Sequence, residues 1–298
     1  MSTHNALYLL WKEAGVSSRR ALQNFARKDL DLRLKGSRGI GHGGTLDPFA
    51  RGLLLVGVGE GTKLLNPLVG LDKTYIATFL FGVSSPSFDC DERIEFRRLK
   101  VKEDYKIGVL DEFLHGELGE FEQEPPAYSA VKVDGVEAYK RVRYRQETIQ
   151  LKPRKVKLLS ARTLKCGWQD FCNQRLFSWQ VELRVGAGTY IRALARDWGR
   201  KLFAAEGLLS ELDRTAIGRF SMHEKDRYKK LNIGDLKEYF QLDYLNAEQA
   251  RRLKLHGQSP KLELRERNTL ILDPEGQVIA WRPEASTKLG RVFRDSPL

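Results

Sequence analysis

The chain has 298 residues, of which 41% are hydrophobic and 30% charged, with a net charge of +12. This composition suits one large or two smaller folded domains rather than a disordered chain. No apolar run approaches the roughly 20 residues of a membrane span, and Met1 to Leu10 is too short and polar for a secretory signal. Three cysteines and five scattered histidines, with no Cys-x-x-Cys pair, argue against a disulfide framework or a zinc site. The expectation is a soluble cytoplasmic protein that needs no membrane.

Taken in chain order, Ala6–Trp11 is predicted as a strand. Ser17 or Ser18 caps a helix running to about Lys28, with Leu22 and Phe25 inward. Leu53–Val58 is a continuous apolar run, as in a strand buried on both faces. Residues 61–69 are predicted helical, 73–83 a strand, 102–114 a helix and 116–126 extended. Val156–Leu164 and Leu176–Val185 are predicted strands. Tyr190–Phe203 is a predicted helix in which Ile191, Leu194, Ala195, Trp198 and Leu202 recur at helical spacing. Irregular mixing of strands and helices favours α+β over a parallel α/β sheet. The texture changes near Asn246, where a short helix over 247–257 leads into small strands and turns. The expected division is therefore 1–246 and a β-rich appendage, 247–298.

The positive charge is local. Residues 17–40 carry a net +5 and residues 139–157 a net +7, which leaves the rest near neutral. Two such clusters favour a polyanionic partner, with nucleic acid the usual one.

The most shaped segment is Gly41-His42-Gly43-Gly44-Thr45-Leu46-Asp47-Pro48. Its glycines and proline dictate a tight loop that aims one carboxylate, Asp47. The same residues also fit a plain glycine-rich turn with a hydrogen bond at Asp47. Gly57-Val58-Gly59-Glu60-Gly61-Thr62-Lys63 lacks the order of a phosphate or dinucleotide loop, and there is no Gly-x-Ser-x-Gly elbow. Three further segments stand out: Asp72-Lys73-Thr74-Tyr75, Pro125-Pro126-Ala127-Tyr128-Ser129-Ala130-Val131-Lys132, and Gly186-Ala187-Gly188-Thr189-Tyr190-Ile191-Arg192.

In their order and spacing, these segments resemble the TruB family of pseudouridine synthases, which act on position 55 of the tRNA T-loop. The resemblance runs from about residue 6 to 222 and more weakly through the C-terminal appendage, and the Tyr128-Ser129-Ala130 form is similar to bacterial members. Gly43 replaces the family's first Thr, and Asp213 replaces an Arg in Leu212-Asp213-Arg214-Thr215. The family's Asp-Lys-Pro-x-Gly is reduced to Trp11-Lys12-Glu13-Ala14-Gly15, losing the proline.

The resemblance implies an α+β fold: a pseudouridine synthase mixed-sheet catalytic domain over 1–246 and a small β-rich PUA-like domain over 247–298. It implies an isomerase that flips a uridine out of its stack, cleaves its glycosidic bond and rejoins the base through carbon, with no cofactor and no metal. Asp47 would be the essential carboxylate, as nucleophile or base toward the ribose. Arg192 would be its partner, and Tyr75 would stack on the target base. His42, Lys12, Tyr128, Lys132, Tyr190, Leu212, Arg141 and Arg143 are the expected substrate-binding residues. His42 would fill the gap left by the flipped base and Leu212 would wall the pocket. Residues 139–157 are expected to form a lid over the T-loop. The expected partner is the tRNA T-stem-loop rather than DNA, bound by a monomer. Two alternatives stay open: a catalytically silent RNA-binding or RNA-folding protein, and a synthase acting on another RNA.

Overall fold

The computed structural model describes residues 5–32, 39–91, 94–96, 105–257, 259–260, 265–293 and 296–298. Strand β1 (Ala6–Lys12) leads to helix α1 (Ser18–Lys28), then β2 (Ile40–His42) and β3 (Arg51–Val58). A 3₁₀ turn over Gly59–Leu64 and α2 (Leu65–Val69) follow, where one continuous helix was expected. Next come β4 (Lys73–Phe81), the short β5 (Val83–Ser84) and β6 (Glu95–Phe96), α3 (Ile107–Gly116) and β7 (Gly119–Gln123). A small hairpin of β8 (Lys132–Val133) and β9 (Val136–Glu137) enters α4 (Ala138–Arg145). Beyond it run β10 (Arg154–Phe171), β11 (Gln174–Val185), α5 (Ile191–Phe203), β12 (Gly207–Ile217) and β13 (Phe220–Ser221). The chain ends with β14 (Tyr228–Lys230), α6 (Ile233–Leu236), β15 (Gln241–Tyr244), α7 (Ala247–His256), β16 (Thr269–Leu272), β17 (Val278–Arg282) and β18 (Arg291–Val292).

The chain forms two compact units, one of residues 1–71 with 219–298 and the other of residues 72–218. In the first, β1 lies between β14 and β3 in antiparallel ladders, and β2 pairs with β3. Every residue of β3 after Arg51 is buried, as its unbroken apolar run predicts. The same unit holds the C-terminal sheet, ordered β15-β16-β17-β18. Its core is Leu245, Leu253, Ile271 and Ile279. Strand β15 precedes the expected boundary at 246, yet it pairs in parallel with β16 and so belongs to that sheet. Asn246 and Gln249 form a capping box that starts α7.

The second unit is a five-stranded antiparallel sheet, β12-β4-β11-β10-β7. The expected strand 156–164 is the first half of a much longer β10, which turns into β11 through Cys172 and Asn173, both at positive φ. Such a pair suits a tight hairpin following the sheet's twist. Helix α5 lies on this sheet through Trp198, whose ring meets Phe79 at 5.4 Å and Trp179 at 5.4 Å. The predicted helix 102–114 is observed over Ile107–Gly116, and the start expected at Lys102 falls outside the described residues. No helix among the described residues is long and apolar enough to cross a membrane.

Candidate active site

In the first unit the loop between β2 and β3 carries Asp47, and both of its chain neighbours are tied down. Ser17 caps α1 by accepting from the Arg20 amide at 3.3 Å. That leaves the Ser18 hydroxyl for Leu46: it donates to the Leu46 carbonyl at 2.8 Å and accepts from the Leu46 amide at 2.9 Å. On the other side, the Pro48 carbonyl accepts from Lys12 Nζ at 3.1 Å and from the Gly15 amide at 2.8 Å. Gly15 makes that turn at φ +77°, a backbone region costly for other residues. The Asp47 carbonyl itself accepts from the Ala50 amide at 3.2 Å. The carboxylate's main chain is therefore fixed from two directions.

Lys12 was expected to bind substrate, and its surroundings give it another task. Its side chain is fully buried, and the ammonium also donates to the carbonyls of Glu13 and Val16 at 2.9 and 2.8 Å. An ammonium enclosed by three carbonyls is a strut of the loop. His42, at the end of β2, lines a cleft of about 260 Å³ with Arg19, Leu22, Gln23, Ile40 and Gly41. Of the first basic cluster, Arg33, Lys35 and Arg38 lie outside the described residues.

In the second unit Tyr75 stands on β4 opposite Arg214 of β12, and Leu212 stands opposite Ala77 two residues along. Cross-strand partners and i, i+2 neighbours share a face, so Tyr75, Leu212 and Arg214 belong to one buried face. Lys73 joins them from the start of β4. Burial, reinforced by the Arg214 charge, brings its ammonium down to about 8.

Arg192 sits in the first turn of α5 and is buried. It donates to the Ser87 carbonyl at 2.7 Å and the Tyr128 carbonyl at 2.8 Å, and lies 3.3 Å from Asp89 Oδ2. Asp89 is itself buried and accepts from Ser87 Oγ at 2.5 Å. Phe88, between them, takes φ +58°, a strained value for a bulky residue. One turn along α5, Arg196 lies 5.2 Å from the Phe88 ring and donates to the Glu124 carbonyl at 3.1 Å. Two arginines at i and i+4 therefore hold segments 85–89 and 124–128 against one helix end.

Tyr190 begins that helix with no side-chain cap of its own. Gln123, buried at the end of β7, grips it instead. Its Nε2 donates to the Tyr190 carbonyl at 3.1 Å, and its Oε1 accepts from the Tyr190 amide at 2.8 Å. Tyr128, Tyr190 and Arg192 are thus joined in one network, while Lys132 is exposed on the β8–β9 hairpin.

The second basic cluster, expected as a lid over the T-loop, carries its own acidic partners. Part of it is helix α4, laced to acids: Lys140 to Glu137 at 2.9 Å, Arg141 to Glu147 at 2.6 Å and to Asp134 at 3.1 Å. Arg141, expected on the substrate, serves as a strut, whereas Arg143 is exposed and has no ion pair among the described residues.

Sequence reasoning missed Ser18, Asp89, Gln123 and Arg196. Gln123 precedes the Pro-Pro pair by two residues and Arg196 follows Arg192 at helical spacing, both legible cues. Asp89 in Ser85-Pro86-Ser87-Phe88-Asp89 carries no distinguishing spacing.

Residues 32–191 match the profile of the TruB family pseudouridylate synthase N-terminal domain. A "tRNA pseudouridine synthase B" of Leifsonia xyli subsp. xyli is 39% identical over 194 residues, 64% of this chain and 61% of that protein. One of Mycoplasma mobile is 34% identical over 248 residues, 81% and 78% of the two chains. One of Tropheryma whipplei is 37% identical over 231 residues, and the match spans only 55% of its length. A chain of the solved "Crystal Structure of a Cbf5-Nop10-Gar1 Complex" superposes with a TM-score of 0.63 at 19% identity, covering 97% of this chain and 83% of that one. That likeness concerns the fold.

Proposed function

Because the chain belongs to the TruB family of pseudouridylate synthases, we propose that it isomerises uridine to pseudouridine at position 55 in the T-loop of tRNA. The observation that carries this reading is the Asp47 loop, whose two neighbouring residues are held by Ser18, Lys12 and Gly15. A loop this constrained suits one carboxylate that must meet a sugar in a fixed direction.

In the proposed reaction the target uridine is flipped from its stack, at a cost of a few kcal/mol. Asp47 acts on the ribose as the N1–C1′ bond breaks. The freed uracil turns, and a C5–C1′ bond forms. The proton on C5 leaves and one is gained at N1, so no atom or electron is gained overall and no cofactor is called for. Arg192 is the catalytic partner of Asp47 in this reading. Tyr75 stacks on the base and assists removal of the C5 proton, and Leu212 walls the pocket. His42 fills the space the base has left, and Arg143 meets the RNA backbone. The segment 247–298, as a PUA-like domain, meets the acceptor end of tRNA. The working form is a cytoplasmic monomer.

Asp47→Asn tests the reading. Chemical mapping should find no pseudouridine in tRNA treated with this variant, while tRNA affinity stays within about tenfold, since phosphate contacts lie elsewhere. Turnover by a mass-verified Asn variant would overturn the assignment.

A further inference from the structure

Arginine is rarely placed on the inward face of a strand without an acid. Arg154 begins β10, and its register partner on β7 is Gln123. Two residues further, Val156 and then Leu158 are buried on the same side of the strand. Arg154 therefore faces inward, as Gln123 does. Its guanidinium lies 5.1 Å from the centre of the Tyr190 ring, and its Nη2 is shielded from solvent with no hydrogen-bond acceptor among the described residues. Two buried arginines of helix α5 differ. Arg192 has two carbonyls and Asp89, and Arg196 has Glu124 and Asp197.

A donor left unsatisfied costs about 1–3 kcal/mol, more when charged. A stacked guanidinium is also pre-organised, because its plane is fixed and its N–H directions are set. Arg154 as a residue is only half-buried, so an anionic acceptor can approach the stacked guanidinium although Nη2 itself is shielded. Lys152, two residues before Arg154, is exposed and adds positive charge near the start of the strand, while Lys155 and Lys157 alternate to the opposite face.

We propose that Arg154 is an RNA-binding residue whose guanidinium, stacked on Tyr190, donates to a backbone phosphate oxygen of the substrate RNA. Gln123 fixes the Tyr190 main chain, and the ring in turn fixes Arg154. The proposal rests on the RNA-modifying reading above.

The test measures binding of a T-stem-loop RNA across a salt series, together with pseudouridine formation. Arg154→Gln should weaken binding about tenfold or more and lower the log–log salt slope by about one. Arg162→Gln removes one charge from an exposed pair with Glu182 and should leave both unchanged. A second measurement keeps the protein intact. In a methylphosphonate scan of the stem-loop against the wild-type chain, one neutralised linkage should cost a similar factor. Combined with Arg154→Gln, that linkage should cost nothing further. A wild-type salt slope in Arg154→Gln, or a scan in which no linkage costs more than about twofold, overturns the proposal. Weakened binding by Arg154→Gln that still adds to every linkage overturns the phosphate assignment. Wild-type protein that forms no pseudouridine overturns instead the reading on which the proposal rests.

Discussion

Gln123 offers the sharpest test of how the second unit is held. It is 1% exposed and makes two hydrogen bonds to the main chain of Tyr190, at 2.8 and 3.1 Å. Gln123→Leu keeps the volume and strands both groups. At about 1–3 kcal/mol for each unsatisfied group, and with water reaching half-buried Tyr190, the loss should be about 2–4 kcal/mol. Arg192 lies two residues on, so its guanidinium moves with the freed helix start. On the catalytic role proposed for Arg192, a shift of about 1 Å costs on the order of 100-fold in rate. Gln123→Glu separates positioning from bulk stability. Ionised, it sets a carboxylate against the Tyr190 carbonyl. Protonated, it restores the donor. Burial raises the folded pKa of such a carboxyl above the ordinary value of about 4.3. The neutral form is then favoured by folding, so its contribution is complete at low pH and lost as pH rises through the folded pKa. Single-turnover pseudouridine formation by Gln123→Glu, divided by that of the wild type, should therefore rise as pH falls from 8 to 6. A flat ratio, or wild-type turnover by Gln123→Leu, would refute the reasoning.

Ser18→Ala should unfold about 2–3 kcal/mol more easily, because the buried Leu46 amide and carbonyl lose their shared hydroxyl. Urea midpoints check the stability, and a fall in turnover larger than the fall in tRNA affinity checks the link to Asp47. Arg143→Ala with Arg145→Ala should flatten the salt dependence of tRNA binding by one to two units, roughly one per lost phosphate contact. Arg141→Ala should instead lower the melting temperature, since it severs the contacts to Glu147 and Asp134. An equal change of salt slope in both variants would show that Arg141 also meets RNA.

The elements were legible where one local signal decides them. The apolar run of β3, the spacing of α5 and the serine before α1 all gave the observed structure. Limits were missed where tertiary partners decide. Strand β10 continues well past Leu164 because β11 pairs with it to the turn, which no periodicity in 165–171 announces. Candidate residues followed the same rule. Asp47, Tyr75 and Arg192 stand in motifs of unusual composition. Asp89 and Ser18 have ordinary neighbours, and only the folded backbone shows what each one grips. Charge was the least legible feature. Counting put a net +7 over 139–157, but Asp134 and Glu137, just outside that window, already engage Arg141 and Lys140.

Two of the three departures from the family pattern, at 11–15 and at Gly43, fall beside Asp47, and the main chain explains why they are tolerable. A proline in the segment 11–15 would have fixed one φ angle. Here Lys12 closes the same turn by donating to three carbonyls, and the Gly15 amide reaches Pro48. Gly43, in place of threonine, donates its amide to the Leu55 carbonyl at 2.8 Å, and a Cβ there would lie 3.4 Å from Leu55 Cδ2. The position is held by its backbone and by close packing, with no need of a side chain. Each such bond contributes about 0.5–1.5 kcal/mol net, so no single one decides the loop. Together they fix both residues flanking Asp47 without drawing on the identity of most side chains in between. A loop constrained through main-chain groups can change several residues while its one carboxylate keeps its direction.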